Sequence, residues 1–399
     1  MDVVRKIRDF NADREPERRA IKLRLMRATR FAFLRGTCHL FYDRLHDRGV
    51  PGSAPAAWIC GDLHLENFGS YKGDNRLVYF DLNDFDEAAL APASWELIRL
   101  LTSLRVAAAE LSIKSDEAEH LCRSFVDAYA AALALGKPLW IERETAHGLV
   151  RELLDDLRER PRKAFLDART RRKGRQRQIL IDGRHALAAS EAQRKQVGEF
   201  MAAFAHHQDD PDFFRVIDVA RRIAGTGSLG VDRYMILVNG KGSPDANYLL
   251  DLKAATPCAL APHLRLPQPN WKNEAERIVA LQRRLQAVSM AFLQPVLLGR
   301  KSFVLRALQP VEDRISIDRT QQSLDQLDHA IATLGRLVAW AQLRSAGRGG
   351  SAPADELVDF GRRRKWRARL LEASIDCAAQ VEADAAAYAK AYDAGAFNG

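Results

Sequence analysis

Cysteine is sparse and unpatterned: five in 399 residues (Cys38, Cys60, Cys122, Cys258, Cys377), odd in number and without metal-ligand spacing. That argues against a disulfide framework and a zinc module, and points to a reducing, cytoplasmic setting. No apolar run approaches the roughly 20 residues of a membrane helix, and Met1 to Arg5 leads into no signal-like apolar stretch. Repeats and low-complexity tracts are lacking. Aromatic residues are only 8%, and the basic runs Arg158–Arg177 and Arg362–Lys365 hold just one, Phe165, so a net charge of +9 is not organised as a nucleic-acid surface. Those runs read instead as solvated faces, with attraction of an anionic substrate as the alternative. With 47% hydrophobic and 28% charged residues, the composition is that of a globular protein with two or three domains' worth of core.

What is present is concentrated between Trp58 and Leu100. An apolar lead-in ends at Gly61, and Asp62, His64, Glu66 and Asn67 follow in one short loop. A turn signal at Lys72–Asn75 precedes a second apolar run, Leu77–Phe80, which delivers Asp81, Asn83, Asp84, Asp86 and Glu87. The pattern predicts a hairpin-like pair of strands that brings two acidic clusters together. Such loops suit Mg²⁺, which takes one or two protein ligands, phosphate oxygens and water. Asn67 and Asp84 are the expected metal ligands, with Asp62 placed to orient or deprotonate an attacking hydroxyl. The competing reading is that Asp and Asn merely fill turns.

GDLHLENFG resembles the catalytic loop, H-G-D-x-H-x-x-N, of the aminoglycoside phosphotransferase and choline kinase branch of the protein-kinase-like superfamily, with Cys60 in place of the first His. DFDEAALAPASWEL resembles that branch's metal-binding segment. Over nearly the whole chain the resemblance is to an uncharacterised bacterial family, domain of unknown function 2252, through FAFLRGTCHLFYDRL, the loop pair, GTGSLGVDRY and the helical C-terminal region.

The resemblance extends to a nucleotide lobe. Gly225, Gly227 and Gly230, with Ser228 between them, precede a β-like run Tyr234–Val238, an Asn239-Gly240 turn, and Tyr248–Lys253. This is the order of a kinase glycine loop and lysine strand. It implies Lys253 on the α- and β-phosphates of ATP and an acid from the next helix, Glu276 or Glu274, to position it. Ala280 stands where the family is expected to carry an acid, and Gln342 where it is expected to carry His.

The expected fold is therefore α+β, a two-lobed kinase-like arrangement that is circularly permuted because the catalytic loops precede the glycine loop. Residues 1–210 form a helical lobe, 211–310 a β-rich nucleotide lobe after a break at Asp209–Asp212, and 311–399 helices that complete the first lobe. Residues 142–178 are expected to be helical, Gly49–Pro55 a loop, Gln309-Pro310 a hinge, and Glu96 a partner for Arg99 one turn away. The expected function is ATP-dependent phosphotransfer to a hydroxyl with Mg²⁺, Asp62 and His64 being the catalytic pair and His64 inclining to a structural role. Alternatives are a nucleotide-binding pseudokinase and a metal-dependent hydrolase built on Asp62, His64, Asp81 and Asp84. The acceptor and the oligomeric state have no signature.

Overall fold

Two apolar runs reverse on themselves through the loop 239–247, in which Gly240 and Gly242 adopt φ of 62° and 90°, values that favour glycine. They pair antiparallel with Arg233 opposite Lys253 and Val238 opposite Tyr248. This hairpin is the middle of the largest sheet in a computed structural model that describes residues 1–47, 54–174, 176–309 and 311–397.

The chain begins with helices α1 (Val3–Phe10), α2 (Pro16–Ala28), α3 (Arg30–Gly36) and α4 (Cys38–Asp47). Strands β1 (Ala56–Ile59), β2 (Phe68–Lys72), β3 (Val78–Leu82) and β4 (Ala89–Pro92) precede helices α5 (Ser94–Ala107) and α6 (Ser115–Leu135). Next come β5 (Ile141–Glu142), α7 (Gly148–Glu159), α8 (Arg162–Asp167), β6 (Thr170–Lys173), β7 (Gln176–Ile179), β8 (Ala186–Ala188) and α9 (Glu191–Ala205). The remainder is β9 (Val216–Arg222), β10 (Arg233–Val238), β11 (Tyr248–Ala254), α10 (Glu274–Leu285), β12 (Gln294–Leu298), β13 (Lys301–Ala307), α11 (Leu324–Ser345), α12 (Ala354–Arg362) and α13 (Lys365–Asp393). The architecture is mixed α+β.

The six-stranded sheet has the order β12-β13-β11-β10-β9-β8, antiparallel throughout. Successive side chains of a strand face opposite ways, and both faces of β10 are buried. Tyr234, Ile236 and Val238 join Val197 and Met201 of α9, while Met235 and Leu237 join Leu166 and Ile179. The expected break at Asp209–Asp212 thus lies between α9 and β9, which pack together, and the sheet draws on residues before 210. The segment 142–178 is not all helical: β6 and β7 form a hairpin across Gly174, whose φ is 62°. Several of its basic residues are paired within the fold, Arg160 with Asp313, Arg169 with Glu312, and Arg177 with Asp167 and Asp245.

The helical part packs α6 against α11 and α12, and α5 against α13. Gly335 permits the closest approach, since a Cβ there would lie 2.5 Å from the Phe125 carbonyl oxygen of α6. Among the described residues no helix is long and apolar enough to cross a membrane. Gly49–Ser53 and Pro310 lie outside the described residues.

Candidate active site

The β2–β3 hairpin pairs Phe68 with Leu82, so the loop before β2 and the loop after β3 emerge at the same end. The Asn83 N–H donates to the Asn67 carbonyl at 3.1 Å and stitches them together. Gly61 makes the turn possible: its φ is 82°, and a Cβ would collide with the Glu87 carbonyl.

Asp62 faces the space between these loops. Arg99 Nε donates to its Oδ1 at 2.6 Å, and Nη2 contacts the same oxygen, which leaves Oδ2 toward Gly227. Burial lifts the Asp62 carboxyl above its usual range, with Arg99 opposing. Arg99 is fully buried and does not pair with Glu96. Instead Glu96 accepts from the Cys60 N–H at 2.9 Å and from Gln342 Nε2 at 2.7 Å, and Tyr129 donates to Gln342 at 2.5 Å. Gln342 therefore belongs to a buried relay that holds the Asp62 loop from below. Burial pushes Glu96 up to about 7.

His64 caps the short 3-10 turn Leu65–Asn67, its Nδ1 accepting from the Glu66 N–H at 3.2 Å. That leaves the proton on Nε2. Burial, with Arg35, Arg99 and Arg314 nearby, keeps the ring neutral. Asn67 is buried and its Nδ2 donates to the Asp62 carbonyl, so Oδ1 is its only atom suited to a cation. Asp84 is half-buried; burial alone would raise its pKa, but Lys253, Arg306, Arg233 and Arg314 hold it below the usual carboxylate range.

From the other side, β9 and β10 present the loop Ala224–Val231, in which Gly225 and Gly230 have φ of 73° and 87°. Gly227 packs on the Arg35 carbonyl, 3.1 Å from where a Cβ would stand. Arg14 Nη1 donates to the Gly227 and Leu229 carbonyls at 2.8 and 2.6 Å, and Lys22 Nζ to Gly227 at 3.2 Å. Arg14, in the connection between α1 and α2, and Lys22 of α2 carry no signal in the sequence beyond being bases near the N-terminus. Lys253, near the end of β11, is ion-paired with Asp86, 167 residues away. Glu276 is not its partner: Glu276 lies 3.9 Å from Lys272 at the start of α10, and Glu274 pairs with Arg277.

One cavity of about 50 Å³ is lined by Asp62, His64, Asp84, Asp86, Gly225, Gly227, Ser228 and Lys253, together with Arg14 and Arg35. The chain's two halves thus meet, and of the predicted set Asn67, Gly230 and Glu276 are not in its wall. Fifty cubic ångströms is room for one or two waters. A second cavity of about 1270 Å³ adjoins it, sharing Phe10, Arg14, Val231, Ala254 and Thr256.

Beneath Lys253, Asp251 is wholly buried among Arg222 (2.8 Å), Arg233 (2.6 Å) and Arg306 (3.5 Å). Burial opposes its charge, but these cations hold it well below the usual range. Arg233 donates to the Ala224 carbonyl and Arg306 to that of Asn83, so the cluster fixes the glycine loop and the Asp84 loop together.

Among the described residues no group of three or more His, Cys, Asp or Glu side chains is arranged to hold a metal. A Mg²⁺ shared with phosphates needs fewer, and an ionised Asp84 with the side-chain Oδ1 of Asn67 is a donor set of that chemistry. Asp81 is buried away from the cavity wall, 3.0 Å from Arg344 and accepting from the Leu82 N–H. The hydrolase set of Asp62, His64, Asp81 and Asp84 is therefore not assembled.

The model of a family described as an uncharacterized protein conserved in bacteria (DUF2252) matches residues 14–391. No curated protein and no solved structure matches the chain.

Proposed function

We propose that this chain, which belongs to the DUF2252 family, is an ATP-dependent phosphotransferase acting on a hydroxyl of a small molecule or protein. The observation that carries the reading is the convergence of Asp62, Asp84, Lys253 and the loop Gly225–Ser228 on one cavity. The order of elements supports it: the succession β9, glycine loop, β10, β11 with its lysine, α10, β12, β13, whose strands with β8 at the edge form the sheet β12-β13-β11-β10-β9-β8, resembles a kinase nucleotide lobe. A circular permutation reconciles that lobe with catalytic loops that come earlier in the chain.

Phosphoryl transfer asks of a protein chiefly positioning and charge compensation. Lys253 would hold the α- and β-phosphates, exchanging its partner Asp86 for them, and the glycine loop would lie over them. Asp84 and Asn67 would hold Mg²⁺, which when bound neutralises phosphate charge. Asp62 orients the acceptor hydroxyl and takes its proton; Arg99 fixes its rotamer, and burial makes it a stronger base than an exposed carboxylate. The larger adjoining cavity is the space available to the acceptor. For a triphosphate to enter, the loop pinned by Arg14 has to lift.

A second reading, nucleotide binding without transfer, draws on the Lys253–Asp86 pair, which occupies the lysine in the free protein. Labelled ATP separates the two. Phosphotransfer predicts slow release of phosphate to water, reduced about a hundredfold or more in Asp62→Asn with MgATP affinity retained. Binding without any turnover in the wild type favours the second reading.

A further inference from the structure

The geometry points to Arg35 as a catalytic residue that stabilises the transferring phosphoryl group, an arginine supplied within the chain from α3. The inference rests on the phosphotransferase reading and adds a group absent from the residues that reading assigns.

Arg35 enters the cavity from a side that neither the hairpin loops nor the sheet provides. Its guanidinium meets Glu66 at 2.5 Å, and Glu66 is shared with Arg314 at 3.0 Å. It lies 5.6 Å from the centroid of the Phe31 ring, and its own carbonyl packs beneath Gly227. The side chain is therefore fixed by the acidic loop and by its own helix, while the glycine loop packs on its backbone carbonyl. Its Nε is buried and has no hydrogen-bond partner among the described residues. An unpaired donor out of water is costly unless an anion completes it, and a guanidinium with a free edge matches phosphate oxygens. The cavity wall places this cation among Asp62, Asp84, Lys253 and the glycine loop.

In the step, the acceptor oxygen forms a bond to the γ-phosphorus as the bond from that phosphorus to the β,γ-bridging oxygen breaks. The electron pair leaves on ADP and the acceptor proton passes to Asp62. Negative charge spreads over the equatorial oxygens, and Arg35, which lines the same cavity as Lys253, meets it there.

The test is calorimetric binding of MgADP with and without aluminium fluoride to wild type, Arg35→Gln, Arg35→Lys and the control Arg30→Gln, with thermal denaturation of each. Arg30 is on the same helix and pairs with Glu382 at the surface. Wild type and Arg30→Gln are expected to bind MgADP about a hundredfold tighter with aluminium fluoride, a mimic of the transferring phosphoryl. Arg35→Gln should bind MgADP within about twofold of wild type yet lose most of that gain, and Arg35→Lys should keep part of it. If Arg35→Gln does not fold, Arg35→Lys, which keeps the charge and loses the fork, carries the comparison. Retention of the full gain in the folded Arg35 variants, or an equal loss of MgADP binding, overturns the assignment. Wild type that binds MgADP but gains nothing from aluminium fluoride also overturns it while leaving the phosphotransferase reading intact. Absence of any MgADP binding removes both.

Discussion

Replacing Asp251 with Asn tests the electrostatic foundation of the site. One carboxylate, fully buried on β11, faces three guanidiniums at 2.8, 2.6 and 3.5 Å. Asn preserves the volume and removes the charge, leaving Arg222, Arg233 and Arg306 mutually repelling out of water. Removing one partner of a buried ion pair costs about 3–5 kcal/mol, and here a single anion serves three cations, so the upper half of that range is expected. About 4 kcal/mol is nearly a thousandfold in the folding equilibrium, because each 1.4 kcal/mol is tenfold. Urea unfolding followed by circular dichroism at neutral pH reads the loss. Hydrogen exchange should locate it in β10, β11 and the loop Ala224–Val231, which Arg233 anchors. A destabilisation below about 1 kcal/mol, the size of an exposed pair, would refute the claim that this cluster organises the lobe.

Glu87 and Glu96 are each pushed up to about 7 by burial. The folded protein then holds more protons than the unfolded chain between about pH 4.5 and 7, and stability falls as pH rises through that window, by up to about 3 kcal/mol per group. Thermal denaturation should show a higher midpoint at pH 5 than at pH 8, and Glu96→Gln should flatten the difference by about half. Asp251 acts in the opposite direction: with its folded pKa depressed, its contribution is complete above about pH 5 and is lost on acidification below about pH 4. Gly335→Val should cost several kcal/mol, about 3 or more, because overpacking meets the α6 backbone rather than a flexible side chain; an unchanged urea midpoint would contradict the packing described. Arg14→Ala removes two hydrogen bonds from the glycine loop, and faster amide exchange at 225–231 with unchanged exchange in β10 is the expected result.

The meeting of Asp62 with Asp84 was legible because an apolar run, a turn and another apolar run make a hairpin, and a hairpin returns both flanking loops to one end. The glycine loop and Lys253 were legible for a similar reason: two apolar runs either side of a glycine-bearing loop pair antiparallel, which sets Arg233 opposite Lys253. Partners distant in sequence were not. Lys253 pairs with Asp86 of the earlier loop rather than with Glu276 of the next helix, since the fold brings that loop nearer than the first turn of α10. Glu96 and Arg99 have the spacing of a helical pair, yet Glu96 turns to the Cys60 amide and Arg99 to Asp62. The run Arg158–Arg177 advertised charge and hid a hairpin, whose turn Gly174 alone announced. Arg14 and Lys22 were not legible, because nothing in a pattern of bases tells which of them will meet a carbonyl-rich loop.

On the phosphotransferase reading, segments far apart in the chain form one nucleotide site. Calorimetric titration of MgATP into wild type, Lys253→Ala and Asp84→Ala tests it most directly. Saturable, Mg²⁺-dependent binding to the wild type, lost or much weakened in both variants, is the predicted result. Absence of binding to the wild type at millimolar MgATP, or undiminished affinity in either variant, would contradict it.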